Sequence, residues 1–566
     1  MSIHTNSKLM ETTKLSPVKR FWLLLKPDKL EIRNIYIYAI IIGMLNLVLP
    51  IGIQAIINLI QGGAVSTSWV VLIILVAAAI AMSGILQINQ LRITENLQQK
   101  IFTRAAFEFT YRIPKIRLEQ LFKQYAPELM NRFFDVVSIQ KGITKLLIDF
   151  SSASIQVLFG LILLSLYHPF FIVFSLLLVL IIVIIFWMTI RKGLKTSLEE
   201  SKHKYLLAHW LEELARSNTT FKLAGKTNLP MNRTNEEAGQ YNNARENHFR
   251  VLRWQYSLMV VFKVLVAVGL LLIGGLLVID QQMNIGQFVA AEIVILLIVN
   301  SVEKVILSFE TIYDVLTSLE KLGQVTDLEL ENNNGIIMAD TDQGIELELN
   351  NISYHYPQEE RLVINDLSLA IKSKERVLIT GKNDSGKSTL LYLVSGLLSP
   401  SKGSISIDGI PSRNYEYDHL MSQIGGYLRD ETLFEGTLLE NITLGRENAS
   451  FENVKWAIKN LNLSKTIKQL GDGYHSRIYP QGKQFSKSTV AKILLARAIA
   501  DKPRLLLLEN SFSVFSTEDK QDILTFLLNR EHNWTVLLSS SQELELPHLI
   551  DHEIILESGK IINEKY

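Results

Sequence analysis

The sequence predicts two folding units of different class: an all-α six-helix transmembrane domain, followed by an α/β domain built on a P-loop. Three observations carry this expectation. Six long apolar runs fall between residues 34 and 310. Residues 345–566 instead alternate short apolar stretches with turn residues and mixed charge, the pattern of an ordinary α/β domain. Within that part, Gly381-Lys382-Asn383-Asp384-Ser385-Gly386-Lys387-Ser388-Thr389 fits the spacing G-x-x-x-x-G-K-[ST]. At 566 residues the chain also exceeds the roughly 250–300 at which single cores stop growing.

The apolar runs are Tyr36–Ile60, Trp69–Ile88, Ile148–Tyr167, Phe170–Ile190, Tyr256–Ile279 and Phe288–Phe309. Each is close to the roughly 20 residues that cross a bilayer as helix. Phe170–Ile190 carries no charged residue, which sets it apart from a buried helix of a soluble protein. The first run is too long for a cleaved leader, and no small-residue cleavage pattern follows it. The links Gln61–Ser68, His168–Pro169 and Asp280–Gln287 contain no Lys or Arg, whereas 89–147 and 191–255 contain many, including Arg191, Lys192, Lys195, Lys202 and Lys204. Charge asymmetry of this kind places the N-terminal segment 1–33 and both long loops in the cytoplasm. Interleaved charge and sparse turn residues make those loops helical extensions, so that a segment such as Leu129–Leu146 projects below the membrane.

Inside the bundle, Lys263 lies 17 positions before Asp280 and Glu303 lies 16 after Gln287. At 1.5 Å per residue both sit about 25 Å from the outer loop, at similar depth. Charges so placed usually pair or line a wet cavity; the leading reading is a salt bridge near the inner headgroups, and the alternatives are a cargo contact and unpaired, solvated charges. Pro50 is expected to kink the first span, and Gly274-Gly275 to let the fifth approach a neighbour closely. The acidic, Asn-rich stretch 327–344, with Gly335 and Gly344, reads as a linker between a membrane domain at 34–326 and the second domain at 345–566.

Composition excludes some chemistry. There are no cysteines, so no disulfide and no thiolate metal site. The formal net charge of +1 leaves no basic footprint, and no nucleic acid is expected as a partner.

The loop after Arg376-Val-Leu-Ile-Thr380 has the residues that bind phosphate. Glycines let backbone N–H groups wrap the phosphates, Lys387 reaches their charge, and Ser388 can hold Mg²⁺. Leu433-Phe434-Glu435-Gly-Thr-Leu-Leu-Glu-Asn-Ile442 follows, and later Arg504-Leu-Leu-Leu-Leu508 ends in Glu509. With six spans ahead of them, and with Glu128-Leu-Met-Asn-Arg132 and Asp135 in the first cytoplasmic loop, these motifs make the chain resemble the exporter branch of the ATP-binding cassette (ABC) transporters. The likeness covers roughly residues 20–566. It is to a half-transporter whose membrane domain is fused ahead of an α/β P-loop nucleotide-binding domain, most similar to type I secretion and bacteriocin-export relatives without their N-terminal peptidase domain.

The resemblance implies ATP as ligand, Mg²⁺ through Ser388 and Glu509, a bacterial inner-membrane location, and a homodimer or a heterodimer with another half-transporter. A periplasmic adaptor protein is a further partner of such secretion systems. The adenine-stacking aromatic corresponds to Tyr356, and Gly381, Asn383, Ser385, Gly386, Lys387, Ser388 and Thr389 match the phosphate loop. The hydrolytic residues depart from the family pattern. Arg429 stands where the family has a metal-ligating Gln, and a guanidinium repels Mg²⁺ unless it turns to a phosphate. Asn510 stands at the catalytic Glu and cannot take a proton from water, help worth about 10²–10⁴ in rate. Phe485-Ser486-Lys487-Ser488-Thr489 replaces Leu-Ser-Gly-Gly-Gln, Ser516 replaces an aspartate, and the switch histidine falls within Ser540-Ser541-Gln542, where there is no His.

In the family each ATP lies between one subunit's phosphate loop and the other's signature. A partner with complete motifs would therefore still meet one defect at each site. Three readings stay open: a half-transporter that binds ATP and hydrolyses it slowly or not at all, an active exporter with altered catalytic residues and a peptide, protein or lipophilic cargo, and a membrane scaffold that does not transport.

Overall fold

The computed structural model describes residues 15–62, 67–122, 126–339, 341–357, 359–509, 512–541 and 547–566. Two compact units emerge: Met1–Pro114 with Gln124–Leu328, and Lys115–Lys123 with Glu329–Tyr566.

In the first unit, six helical stretches among the described residues are long and apolar enough to cross a membrane. They are Pro17–Gln61, Thr67–Lys115, Ala126–Tyr167, Phe170–Arg216, Leu229–Ile279 and Ile285–Thr326, one for each expected run. The fourth and fifth spans include single helices of 47 and 51 residues. At 1.5 Å per residue they are about 70 Å and about 75 Å long, more than twice a hydrocarbon core, so the charged halves continue as helix beyond the apolar ones. The sixth begins with an Asn-x-x-Gln capping box, in which the Asn284 side chain accepts from Gln287 N–H at 2.7 Å and the Gln287 side chain accepts from Asn284 N–H at 2.9 Å. It fills the centre of the unit, burying Val294, Ile298, Val302, Phe309 and Tyr313.

Two local expectations resolve differently from the sequence reading. The first span does break, but at Leu47, between the helices Lys29–Asn46 and Val48–Gln61. Pro50 lies in the first turn of the second piece; in a continuous helix its N–H would bond the Asn46 carbonyl, so the missing donor falls at the residue where the first piece ends. Of the two neighbouring glycines only Gly274 packs closely: a Cβ there would stand 2.9 Å from the Phe288 ring, whereas one at Gly275 would meet nothing within 4 Å. A tighter case is Gly193 in the fourth span, where a Cβ would lie 2.2 Å from the Tyr313 ring.

The second unit is α/β. Strand β1 (Leu347–Tyr354) pairs antiparallel with β2 (Ile364–Ile371), while β3 (Arg376–Thr380) opens a separate sheet. Strands β4 (Lys402–Ile407) and β5 (Ile410–Pro411) extend the first sheet to the order β2-β1-β4-β5. After β6 (Ile424–Tyr427), β7 (Gly436–Thr437) and β8 (Arg477–Ile478) form a short ladder of their own. The remaining strands, β9 (Leu505–Leu508), β10 (Thr535–Ser540), β11 (His552–Glu557) and β12 (Lys560–Lys565), join β3 and β6 in the order β12-β11-β3-β10-β9-β6. The run β11-β3-β10-β9-β6 is parallel. Within it β9 is wholly apolar and buried along its whole length, as expected where both faces are covered.

The stretch 327–344, read from sequence as a linker, is packed from Glu329 onwards. Met338 is 3% exposed, Ile336 bridges to Tyr415, and a Cβ on Gly335 would strike the Tyr415 backbone at 2.1 Å. Here Gly335 marks close backbone approach rather than freedom. The same stretch binds Lys115–Lys123: Arg117 N–H donates to the Glu329 carbonyl and Glu331 N–H to the Lys115 carbonyl.

Candidate functional site

The parallel sheet brings the carboxyl ends of β3 and β9 together, which is where open α/β sheets bind ligands. The loop leaving β3 turns back sharply into the helix Lys387–Ser395. Gly381 and Gly386 have φ of +148° and +102°, backbone that disfavours a side chain. There is also no room for one, since a Cβ on Gly381 would lie 2.2 Å from the Leu556 carbonyl oxygen. Both glycines are thus required by the path of the loop.

Lys387 is 9% exposed and folds back over this loop. Its ammonium donates to the carbonyls of Gly381 at 2.8 Å and Lys382 at 2.7 Å, and to Ser385 Oγ at 3.3 Å. Burial lowers its pKa from the usual lysine value, partly offset by the charge of Asp384. A buried cation beside a ring of backbone N–H groups is a seat for phosphate.

A cavity of about 760 Å³ opens over the loop. Tyr356, Asn383, Ser385, Gly386, Lys387, Ser388, Thr389, Arg429 and Glu509 all line it, so nearly every binding residue expected from the sequence converges there. The Tyr356 hydroxyl lies 3.0 Å from Thr389 Oγ1, which ties the aromatic to the first turn of the phosphate-loop helix. Behind it stand Tyr354 and Phe122, edge-on with ring centroids at 5.3 and 5.2 Å.

Glu509 follows β9 and is 6% exposed. Ser388 Oγ donates to one carboxylate oxygen, and the Arg429 backbone N–H donates to the other at 2.7 Å. The serine and carboxylate expected to hold a metal are therefore in contact. The Arg429 side chain is exposed on the wall of the same cavity. Asn510 and Gln542 lie outside the described residues.

The residues expected from the sequence to stand for the family's signature show a local role. Ser486 is the N-cap of the helix Lys487–Ile499, its side chain accepting from Thr489 N–H at 3.2 Å. Ser486, Lys487 and Ser488 do not line the cavity. In the membrane unit, Lys263 and Glu303 do pair, Nζ to Oε2 at 2.5 Å, each about 30% exposed. The sequence reading missed two charged residues on the cavity wall, Glu359 and Arg361. The signal for them is their position in the short loop from Tyr356 to β2.

Residues 32–302 match the family described as ABC transporter transmembrane region, and residues 364–513 the family described as ABC transporter. The "uncharacterized ABC transporter ATP-binding protein" of Bacillus subtilis (strain 168) is 30% identical over 245 residues, 43% of this chain and 42% of that protein. The leukotoxin export ATP-binding protein of Aggregatibacter actinomycetemcomitans is 28% identical over 310 residues, 55% of this chain and 43% of its own length. An ATP-dependent lipid A-core flippase of Legionella pneumophila (strain Paris) is 30% identical over 280 residues, 49% of this chain and 47% of its own. The matched region thus spans less than half of each of these relatives. In overall fold the chain is similar to a bacterial Atm1-family ABC exporter solved with ATP bound, at a TM-score of 0.83 and 18% identity over 95% of both chains. With the transmembrane region and the cassette matched in succession along one polypeptide, the chain belongs to the ABC transporters and has the architecture of an exporter-type half-transporter.

Proposed function

We propose that this half-transporter binds ATP in the Lys387 cavity and hydrolyses it slowly or not at all, so that nucleotide acts as a clamp on a dimer rather than as fuel. The observation that carries the reading is a complete phosphate cradle in a chain whose residues at the family's hydrolytic positions are changed. The phosphate cradle is complete, from the glycine path to the enclosed Lys387 ammonium. The positions for hydrolysis are occupied by Arg429 and Asn510, neither of which can accept a proton from water at neutral pH. Dimerisation, with a second copy or another half-transporter, supplies the face opposite each cradle. Ser486, Lys487 and Ser488 of one subunit would meet the nucleotide held by the other, with Lys487 giving charge where the family has a glycine. Nucleotide then shifts the dimer only by its differential affinity for the closed form.

The assembly sits in a bacterial inner membrane, with its N-terminal segment and cassette in the cytoplasm. This follows from the Lys and Arg content of 191–255 and from the bacterial relatives. A secretion-type relative is consistent with a periplasmic adaptor as a further partner. Binding of a fluorescent ATP analogue and steady-state ATPase activity of the purified protein test the reading together. The expected result is binding that Lys387→Ala abolishes, turnover at least about 10²-fold below an ordinary exporter, and a gain in turnover for Asn510→Glu. Ordinary turnover in the wild type, lost in Lys387→Ala, would return the chain to the active exporters.

A further inference from the structure

We propose that Arg429 takes the place of a divalent cation in this cavity, so that the phosphates of a bound nucleotide are held between Lys387 and Arg429 without dependence on Mg²⁺. The inference rests on the reading that the cavity binds nucleotide and adds to it the manner of binding.

The protein donor set for Mg²⁺ is minimal, one hydroxyl and one carboxylate. That ion demands near-octahedral oxygen ligands and in phosphate sites takes one or two carboxylates besides the substrate oxygens. Here Ser388 and Glu509 face each other, and both Glu509 oxygens already accept hydrogen bonds, one from Ser388 and one from the Arg429 backbone. Among the described residues no group of three or more His, Cys, Asp or Glu side chains is placed to share a metal.

Arg429 cannot leave this neighbourhood. Its backbone N–H is fastened to Glu509, itself bonded to the serine of the phosphate loop, so the side chain starts beside the seat a cation would take. A permanent positive charge there repels a dication and attracts phosphate. The two acids next to Arg429 in sequence are engaged with other partners. Asp430 accepts from the Tyr392 hydroxyl at 2.9 Å, and Glu431 pairs with Arg497 at 3.5 Å. Among the described residues no carboxylate forms an ion pair with the Arg429 guanidinium, a group of five donors, and the residue is exposed on the cavity wall. A guanidinium meets phosphate bidentately, supplying the charge and the geometry that bridging metal oxygens otherwise supply.

The test is equilibrium binding of a fluorescent ATP analogue to the full-length protein in lipid nanodiscs, in Mg²⁺ and in EDTA. The wild type is expected to bind with affinities within about twofold of each other in the two buffers. Arg429→Gln is expected to lose about tenfold in EDTA, the size of one charge-assisted hydrogen bond, and to recover most of it in Mg²⁺. Arg429→Lys keeps the charge without the fork and falls between them. A wild type that loses about tenfold in EDTA overturns the proposal and leaves the nucleotide reading standing, as does an Arg429→Gln protein indistinguishable from wild type in both buffers. A wild type that binds nucleotide in neither buffer sinks the nucleotide reading and this proposal with it.

Discussion

Lys263 and Glu303 face each other across the fifth and sixth spans with their side chains about 70% covered, so each charge depends on the other for compensation. Removing one partner leaves an uncompensated charge in a poorly solvated place, whereas removing both leaves none. Lys263→Ala and Glu303→Ala are each expected to lower thermal stability in detergent. The double variant should lose less than the sum, by a coupling of about 0.5–3 kcal/mol. Additive losses would mean that the pair has no energetic content. Their shared depth was readable from residue counting alone, because helix rise is fixed. Their contact was not, because helix rotation depends on packing. The Ser388–Glu509 contact was beyond reach for a related reason: 121 residues separate the two, and only the neighbouring places of β3, β10 and β9 in the sheet bring them together.

At the scale of elements, the spans that sequence analysis delimits by hydropathy end where the apolar residues end, yet the helices do not. Phe170–Arg216 and Leu229–Ile279 continue because interleaved charge preserves the helical period. What hydropathy cannot show is where two such helices touch. Gly193 is unremarkable in sequence, but it is the place where the fourth span meets Tyr313, a residue 1% exposed whose hydroxyl accepts from Gln255 at 2.8 Å. Gly193→Ala is therefore expected to destabilise the bundle by about 1–3 kcal/mol, read as a fall in melting temperature. Gly275→Ala, with open space around it, should be close to neutral or slightly stabilising. Equal effects of the two would show that close approach at Gly193 is absent in solution. Pro50 teaches the same lesson in reverse: the residue type signals a discontinuity, and the turn it occupies decides where the discontinuity falls.

Across the whole molecule, the boundary drawn by composition at residue 345 does not coincide with the division between the two compact units. Residues from Glu329 and the segment Lys115–Lys123 belong to the second unit, and Met338 is buried there. A fragment 345–566 is expected to unfold at lower urea than a fragment 329–566, by roughly 2–3 kcal/mol for that one side chain. Coincident unfolding curves would restore the linker reading. Composition misses this because an acidic, Asn-rich stretch can pack through its backbone, as Gly335 does on Tyr415, while its side chains stay in water.

The edge-on contact of Phe122 with Tyr356 has one more consequence, for the order of synthesis and for modularity. The ribosome makes Phe122 long before Tyr356, so the partner that this aromatic contact needs is already synthesised when the cassette emerges. A cassette of this kind is not a cartridge. Grafted onto another membrane half without Lys115–Lys123, it would keep the sequence of its phosphate loop and lose the aromatic contact behind Tyr356.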